Sequence, residues 1–107
     1  MKLSMLFLAA IAAPVFATAG GRCSSGWGDD CICLDYKDCR DKWGGQPHSG
    51  SPGNKPCPND PDHIRGCIVK PCHGQGKGTQ CLWKNSCKKP NKKPGCPGGH
   101  DFICCDH

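Results

Sequence analysis

Four groups of residues in this sequence have the types and spacing to do chemistry: cysteines beside histidines, clustered aspartates, tryptophans among glycines, and a run of lysines. Cys31-x-Cys33, Cys72-His73 and Cys104-Cys105-Asp106-His107 place soft metal ligands and thiols close together. The spacing does not follow the paired C-x2-C arrangement of zinc modules, so no metal and no cofactor is expected. A thiolate nucleophile would need an unpaired cysteine near a histidine, and the even cysteine count leaves none over. The five histidines are read as surface loop residues.

Asp29, Asp30, Asp35, Asp38, Asp41, Asp60 and Asp62 supply the carboxylates that a glycoside hydrolase would use. The chain has no Glu, and a thin fold offers little cleft in which to raise an acid's pKa. These aspartates read as turn and cap residues, Asn59-Asp60-Pro61-Asp62 most clearly. No catalytic residue is assigned, and the chain is expected not to be an enzyme.

The aromatic group is Trp27, Tyr36, Trp43 and Trp83. A sugar packs its apolar face on such rings while neighbouring polar groups bond its hydroxyls. Tyr36 and Trp83 sit inside C-x5-C pairs and are expected to pack on disulfides. Trp27 and Trp43 lie in glycine-rich loops and are candidate ligand-binding residues. Lys88, Lys89, Lys92 and Lys93, with Lys84 nearby, could dock on an anionic polymer, a phospholipid head or an acidic partner. Pro90 and Pro94 exclude an amphipathic membrane helix there.

The elements that must hold these residues begin after a leader. Lys2, the apolar stretch from Leu3 to Phe16 and the small-residue site Ala17-Thr18-Ala19 read as a signal peptide over 1–19, with Gly20 as the mature N-terminus. The apolar run is too short for a membrane span. Every Ala and both Met residues fall within this leader, so the mature chain is dominated by Gly, Pro, Cys, Lys and Asp, which favour turns and short strands over helices. Thirteen basic residues against nine aspartates give the mature chain a formal charge of +4, well short of a nucleic-acid-binding footprint.

Only twelve apolar side chains other than cysteine remain in the mature chain, too few for stability by burial alone. Covalent closure must supply the rest. Cys23, Cys31, Cys33, Cys39, Cys57, Cys67, Cys72, Cys81, Cys87, Cys96, Cys104 and Cys105 all follow the leader and imply up to six disulfides, whose pairing the sequence does not give. Each is worth roughly 2–4 kcal/mol.

The expected fold is a small disulfide-rich one, with short β-strands and loops in two degenerate repeats and little or no helix. Cys33-Leu34-x4-Cys39 reappears as Cys81-Leu82-x4-Cys87. Cys57-Pro58, leading to Ile64-Arg65-Gly66-Cys67, reappears as Cys96-Pro97, leading to Phe102-Ile103-Cys104-Cys105. Gly66 stands where the second copy has a cysteine, so Cys23, Cys31 and Cys72 must take up the difference. The division is placed at 20–72 and 73–107, with Cys72 to Gly78 as a glycine-rich hinge.

The string C-L-x4-C, a Gly-rich loop, C-P-x-D-P-x-x-I (Cys57 to Ile64) and a terminal Cys104-Cys105 resemble a cysteine-rich module of filamentous fungi. Such modules occur beside cell-wall-lytic domains, and similar chains occur alone as small secreted effectors. Gly66 departs from the module's cysteine pair. Hydrophobins, with two adjacent-cysteine pairs, and hevein-type chitin binders, with an early pair, do not match this order.

The resemblance implies a non-enzymatic secreted protein of a fungus, acting outside the cell as an effector at a host interface, in the apoplast or at the fungal surface. The alternatives are a module that binds chitin, glucan or peptidoglycan, and a basic antimicrobial protein. The expected partner is a cell-wall glycan or a host extracellular protein, with no nucleic acid, no stable membrane insertion, and a monomeric state.

Overall fold

A computed structural model describes residues 20–106, so the signal peptide expected over 1–19 and His107 lie outside the described residues. The described residues form five short strands: β1 (Cys31–Asp35), β2 (Gln46–His48), β3 (Ile64–Ile68), β4 (Thr79–Trp83) and β5 (Phe102–Asp106). One π-helical turn, Asp38–Lys42, follows β1, and one 3-10 turn, Lys84–Ser86, follows β4. The sparse helix matches a sequence poor in helix formers.

Local chemistry accounts for the first of these turns. Asp35 Oδ1 accepts from the Lys37 amide at 2.8 Å and the Asp38 amide at 3.4 Å, the capping role expected of a short acidic side chain. The turn ends at Trp43, where Gly44 takes φ +66° and reverses the chain.

Strands β1, β3 and β2 make an antiparallel sheet in that order, with Cys33 opposite Gly66 and Pro47 opposite Cys67. Strands β4 and β5 make the second sheet, with Cys81 opposite Cys104. The loop from Cys39 to Cys57 therefore contains a strand that its Pro, Gly, Ser and His content concealed.

The two sheets are the same unit built twice. Cys33 donates its amide to Gly21 O at 2.9 Å, and Cys81 donates its own to Val69 O at 3.0 Å. On the far edge, Pro47 pairs with Cys67 and Pro90 with Cys105. Residues 89–91 thus occupy the edge that β2 holds in the first unit. Asp106 N donates to Lys89 O and Asn91 N to Cys104 O.

All twelve cysteines are paired: Cys23–Cys31, Cys33–Cys57, Cys39–Cys67, Cys72–Cys104, Cys81–Cys96 and Cys87–Cys105. Two bonds of each unit fall at equivalent positions, Cys33–Cys57 with Cys81–Cys96 and Cys39–Cys67 with Cys87–Cys105. The third differs. A Cβ on Gly66 would lie 2.8 Å from Cys31 Sγ, so the Cys31 sulfur fills the space that a side chain at residue 66 would need. In the second unit Cys104 provides the sulfur, and Thr79 stands where Cys31 does, its hydroxyl accepting from Cys72 N at 3.1 Å and donating to Gly76 O at 2.8 Å.

The hinge expected over Cys72 to Gly78 is instead a braced turn of the second unit. Cys72 is bonded to Cys104, across the 72/73 division. His73 N donates to Gly95 O at 2.9 Å, and Gln75 Nε2 donates to Pro94 O at 3.0 Å. Its glycines allow a tight reversal, and the disulfide and side-chain bonds then fix it.

Residues opposite one another on a ladder, and alternate residues along a strand, share a face. One face of the first sheet carries Cys31, Cys33, Ile64 and Ile68, which cluster with Cys23, Cys57 and Trp27. The other carries Ile32, Leu34 and Cys67, and onto it packs the face of the second sheet that carries Cys81, Trp83, Phe102 and Cys104. The units therefore stack face to back around one shared core.

Candidate functional site

Trp83 lies in this core, as its place inside a C-x5-C pair implies: it is 8% exposed, its ring centroid is 4.8 Å from that of Phe102, and its Nε1 donates to Cys31 O at 2.8 Å. Tyr36 behaves differently. It is half-buried outside both core clusters, beneath the Arg65 guanidinium at 4.3 Å from the ring centroid, with Arg40 at 5.8 Å and Lys37 Nζ at 6.0 Å. Sequence reasoning missed this stack, because Arg65 reaches Tyr36 only through the β1–β3 ladder.

Trp27 and Trp43 are each half-buried and stand on opposite sides of the first sheet. Trp27 packs on the Cys23, Cys31, Cys33 and Cys57 cluster, 6.0 Å from the His48 ring, with its Nε1 enclosed and unpartnered. Trp43 packs on the shared core, 6.2 Å from the His73 ring. The two rings do not form a common platform.

Lys88, Lys89, Lys92 and Lys93 are all exposed and lie along the outer edge of the second sheet. The bonds from Asp106 N and Asn91 N hold this segment against β5, and Lys93 N donates to Asn91 Oδ1 at 2.9 Å. The ion pairs Arg22–Asp29 at 2.6 Å and Arg40–Asp41 at 3.0 Å both belong to the first unit. The second of these holds the Asp41 carboxyl below its ordinary pKa and raises that of Arg40, chiefly through their hydrogen bond. Among the described residues no carboxylate pairs with the four lysines.

Charge is divided between the units. Residues 20–68 carry six basic and seven acidic side chains, a formal −1; residues 69–106 carry seven basic and two acidic, a formal +5. Beside the lysine edge lies an open hollow of about 400 Å³, lined by Lys92, Lys93, Pro94, His100 and Ile103 among others. A second hollow, of about 250 Å³, brings Asp60, Asp62, Lys55 and Arg65 together over the Cys57-Pro58 segment.

Two sulfur triads also stand at equivalent positions, Cys23/Cys33/Cys57 and Cys72/Cys81/Cys96, with the sulfurs of each within 4.8 Å of one another. Every one of these sulfurs is in a disulfide, so neither triad offers a thiolate to a metal or a substrate. No helix among the described residues is long and apolar enough to cross a membrane.

Comparison with protein-family models, with curated proteins and with solved structures gives no match to this chain. The resemblance to the fungal cysteine-rich module accordingly rests on its motif residues alone.

Proposed function

We propose that this chain is a non-enzymatic protein secreted by a fungus, an effector that works at the host interface by holding an anionic extracellular partner on the lysine edge of its second unit. The observation that carries this reading is the difference between two copies of one scaffold. At the sheet edge where the first unit has Gln46-Pro47-His48, the second has Lys89-Pro90-Asn91 with Lys88, Lys92 and Lys93 around it. The first edge shows that this fold does not need lysines there, so their accumulation adds something other than stability. Unpaired cations held on a covalently braced edge raise the local concentration of anions and speed their capture. The six disulfides suit a protein exposed to extracellular proteases.

The test measures retention of the full secreted chain on polygalacturonate beads, a matrix of spaced carboxylates. Wild type is expected to bind at low salt and elute between about 0.01 and 1 M salt, as the screening length falls from about 30 to about 3 Å. The Lys88→Gln/Lys89→Gln/Lys92→Gln/Lys93→Gln variant is expected to flow through. Deleting the gene is expected to reduce host colonisation without changing growth in culture. Flow-through of wild type at low salt, or colonisation unchanged by the deletion, would overturn the reading.

A further inference from the structure

The joint between the two units shows what one face of this scaffold accepts. In the first unit, Ile32, Leu34 and the Cys39–Cys67 disulfide receive the Trp83 and Phe102 rings of the second. Because Cys33-Leu34-x4-Cys39 corresponds to Cys81-Leu82-x4-Cys87 and Cys67 to Cys105, the positions of Ile32, Leu34 and the Cys39–Cys67 disulfide recur on the second unit as Gln80, Leu82 and the Cys87–Cys105 disulfide, with Ile103 beside Leu82. Among the described residues no further unit packs on this face. Leu82 and Ile103 face each other across the β4–β5 ladder, are half-buried, and belong to neither core cluster.

Two substitutions adapt this second face. Ile103 stands where the first unit has Arg65, which replaces a cation with an apolar surface. Gln80 stands where the first unit has Ile32, and its Nε2 donates to Asp30 Oδ2 at 3.0 Å, closing the side nearest the first unit. The remaining border is the lysine edge at 88–93, with Lys92 and Lys93 lining the same hollow as Ile103. The result is a small apolar floor with a cationic rim on one side.

We infer that this face docks an acidic polypeptide that anchors on Leu82 and Ile103 through an aromatic side chain while its carboxylates meet the lysine rim. The inference deepens the proposed function and rests on it. Charge complementarity selects the acidic flanks, and the internal joint suggests the anchor, since Leu34 and the Cys39–Cys67 disulfide, the counterparts of Leu82 and Cys87–Cys105, already pack in one core with an indole and a phenyl ring. A polypeptide fits better than a glycan because a sugar would need an aromatic plane. Trp27, Trp43 and Tyr36 all lie in the first unit, and Trp83 and Phe102 are buried.

The experiment titrates the full secreted chain with a fluorescein-labelled peptide of alternating Asp and Gly carrying one Trp and one Phe at its centre, and with its counterpart in which Ala replaces both rings. Polygalacturonate is the third ligand. The aromatic peptide is expected to bind at least about tenfold more tightly than the alanine peptide, the size of effect a single buried aromatic anchor gives. Leu82→Asn/Ile103→Asn is expected to abolish that ratio, and the four-lysine variant to weaken both peptides. Amide shifts in labelled wild type are expected to centre on Leu82, Ile103 and Lys89, a readout that does not depend on how the variant folds.

Equal binding of the two peptides would overturn the docking inference and leave the lysine-edge reading standing. So would tighter binding of polygalacturonate that Leu82→Asn leaves unchanged, which would make the ligand a glycan. Binding of none of the three would overturn both.

Discussion

Trp83 of the second unit donates its indole N–H to the backbone carbonyl of Cys31 in the first, at 2.8 Å, across the face where the two sheets stack. A second bond runs beside it, from Trp83 N to Asp29 O at 2.9 Å. The Trp83 ring is the largest body in the joint, so one side chain both fills the joint and fixes its register.

Trp83→Ala is therefore expected to destabilise the chain by about 3–5 kcal/mol, the cost of emptying a buried aromatic site. Trp83→Phe keeps most of the packing and loses the donor, at about 1–3 kcal/mol. Guanidinium unfolding of the oxidised proteins checks both. A loss equal to that of an exposed residue would mean that the units do not depend on this joint.

The relation between Cys31 and Gly66 makes a second prediction. Gly66→Ala puts a Cβ 2.8 Å from Cys31 Sγ and 2.8 Å from Pro56 Cβ, and overpacking of this kind is expected to cost about 1–3 kcal/mol. Gly76→Ala, where nothing lies within 4 Å, should stay within about 0.5 kcal/mol of wild type. The double variant Cys31→Thr/Gly66→Cys gives the first unit the pattern of the second. Mass mapping is expected to find Cys23 bonded to residue 66 in the position equivalent to Cys72–Cys104.

The lysine edge carries features that resist cleavage. In Lys88-Lys89-Pro90 and Lys92-Lys93-Pro94 each second lysine precedes a proline, whose ring and missing N–H obstruct a protease that cuts after Lys. The backbone bonds at Lys89 and Asn91 also hold the segment on β5, where it cannot reach into a protease cleft. Pro90→Ala and Pro94→Ala are each expected to open a tryptic cut after the preceding lysine, read as a new disulfide-linked fragment pair on mass analysis. Unchanged digestion would show that the β5 contacts alone protect the loop.

Acid should act on the first unit through the Arg40–Asp41 pair. Asp41 has a lowered carboxyl pKa, so the stability it contributes is present above the ordinary carboxylate pKa and is lost as pH falls through the lowered one. Both side chains are exposed, so the effect is small and screened. Thermal unfolding of Asp41→Asn is expected to match wild type in strong acid and to fall slightly below it near neutral pH.

Much of this fold was legible in the residues. The cysteine count, the thin apolar set, the turn-forming aspartates and the recurrence of C-L-x4-C all follow from composition and local spacing, and they determine a disulfide-braced pair of small β units. The lysine edge was legible as a cluster, because charge and the two prolines are local properties. The alternation in Gln80-Cys81-Leu82-Trp83 separates Leu82 from the core positions, a period-two signal that could have marked it as outward-facing.

Tertiary structure decided the rest, because it depends on which faces meet. Spacing repeats Cys33 as Cys81, but only the packed sheets show that Cys31 takes the space beside Gly66 while Cys104 pairs with Cys72. Trp27, Trp43 and Trp83 are equivalent as letters and differ because Trp83 is buried in the joint, Trp43 is half-buried at its border, and Trp27 packs on the opposite side of the first sheet. A β face has no sequence label saying whether another sheet will cover it. Leu34 and its counterpart Leu82 are both half-buried, but the stacking of the second unit on the first packs Leu34 against the shared core and leaves Leu82 outside it, and only that geometry separates the two positions.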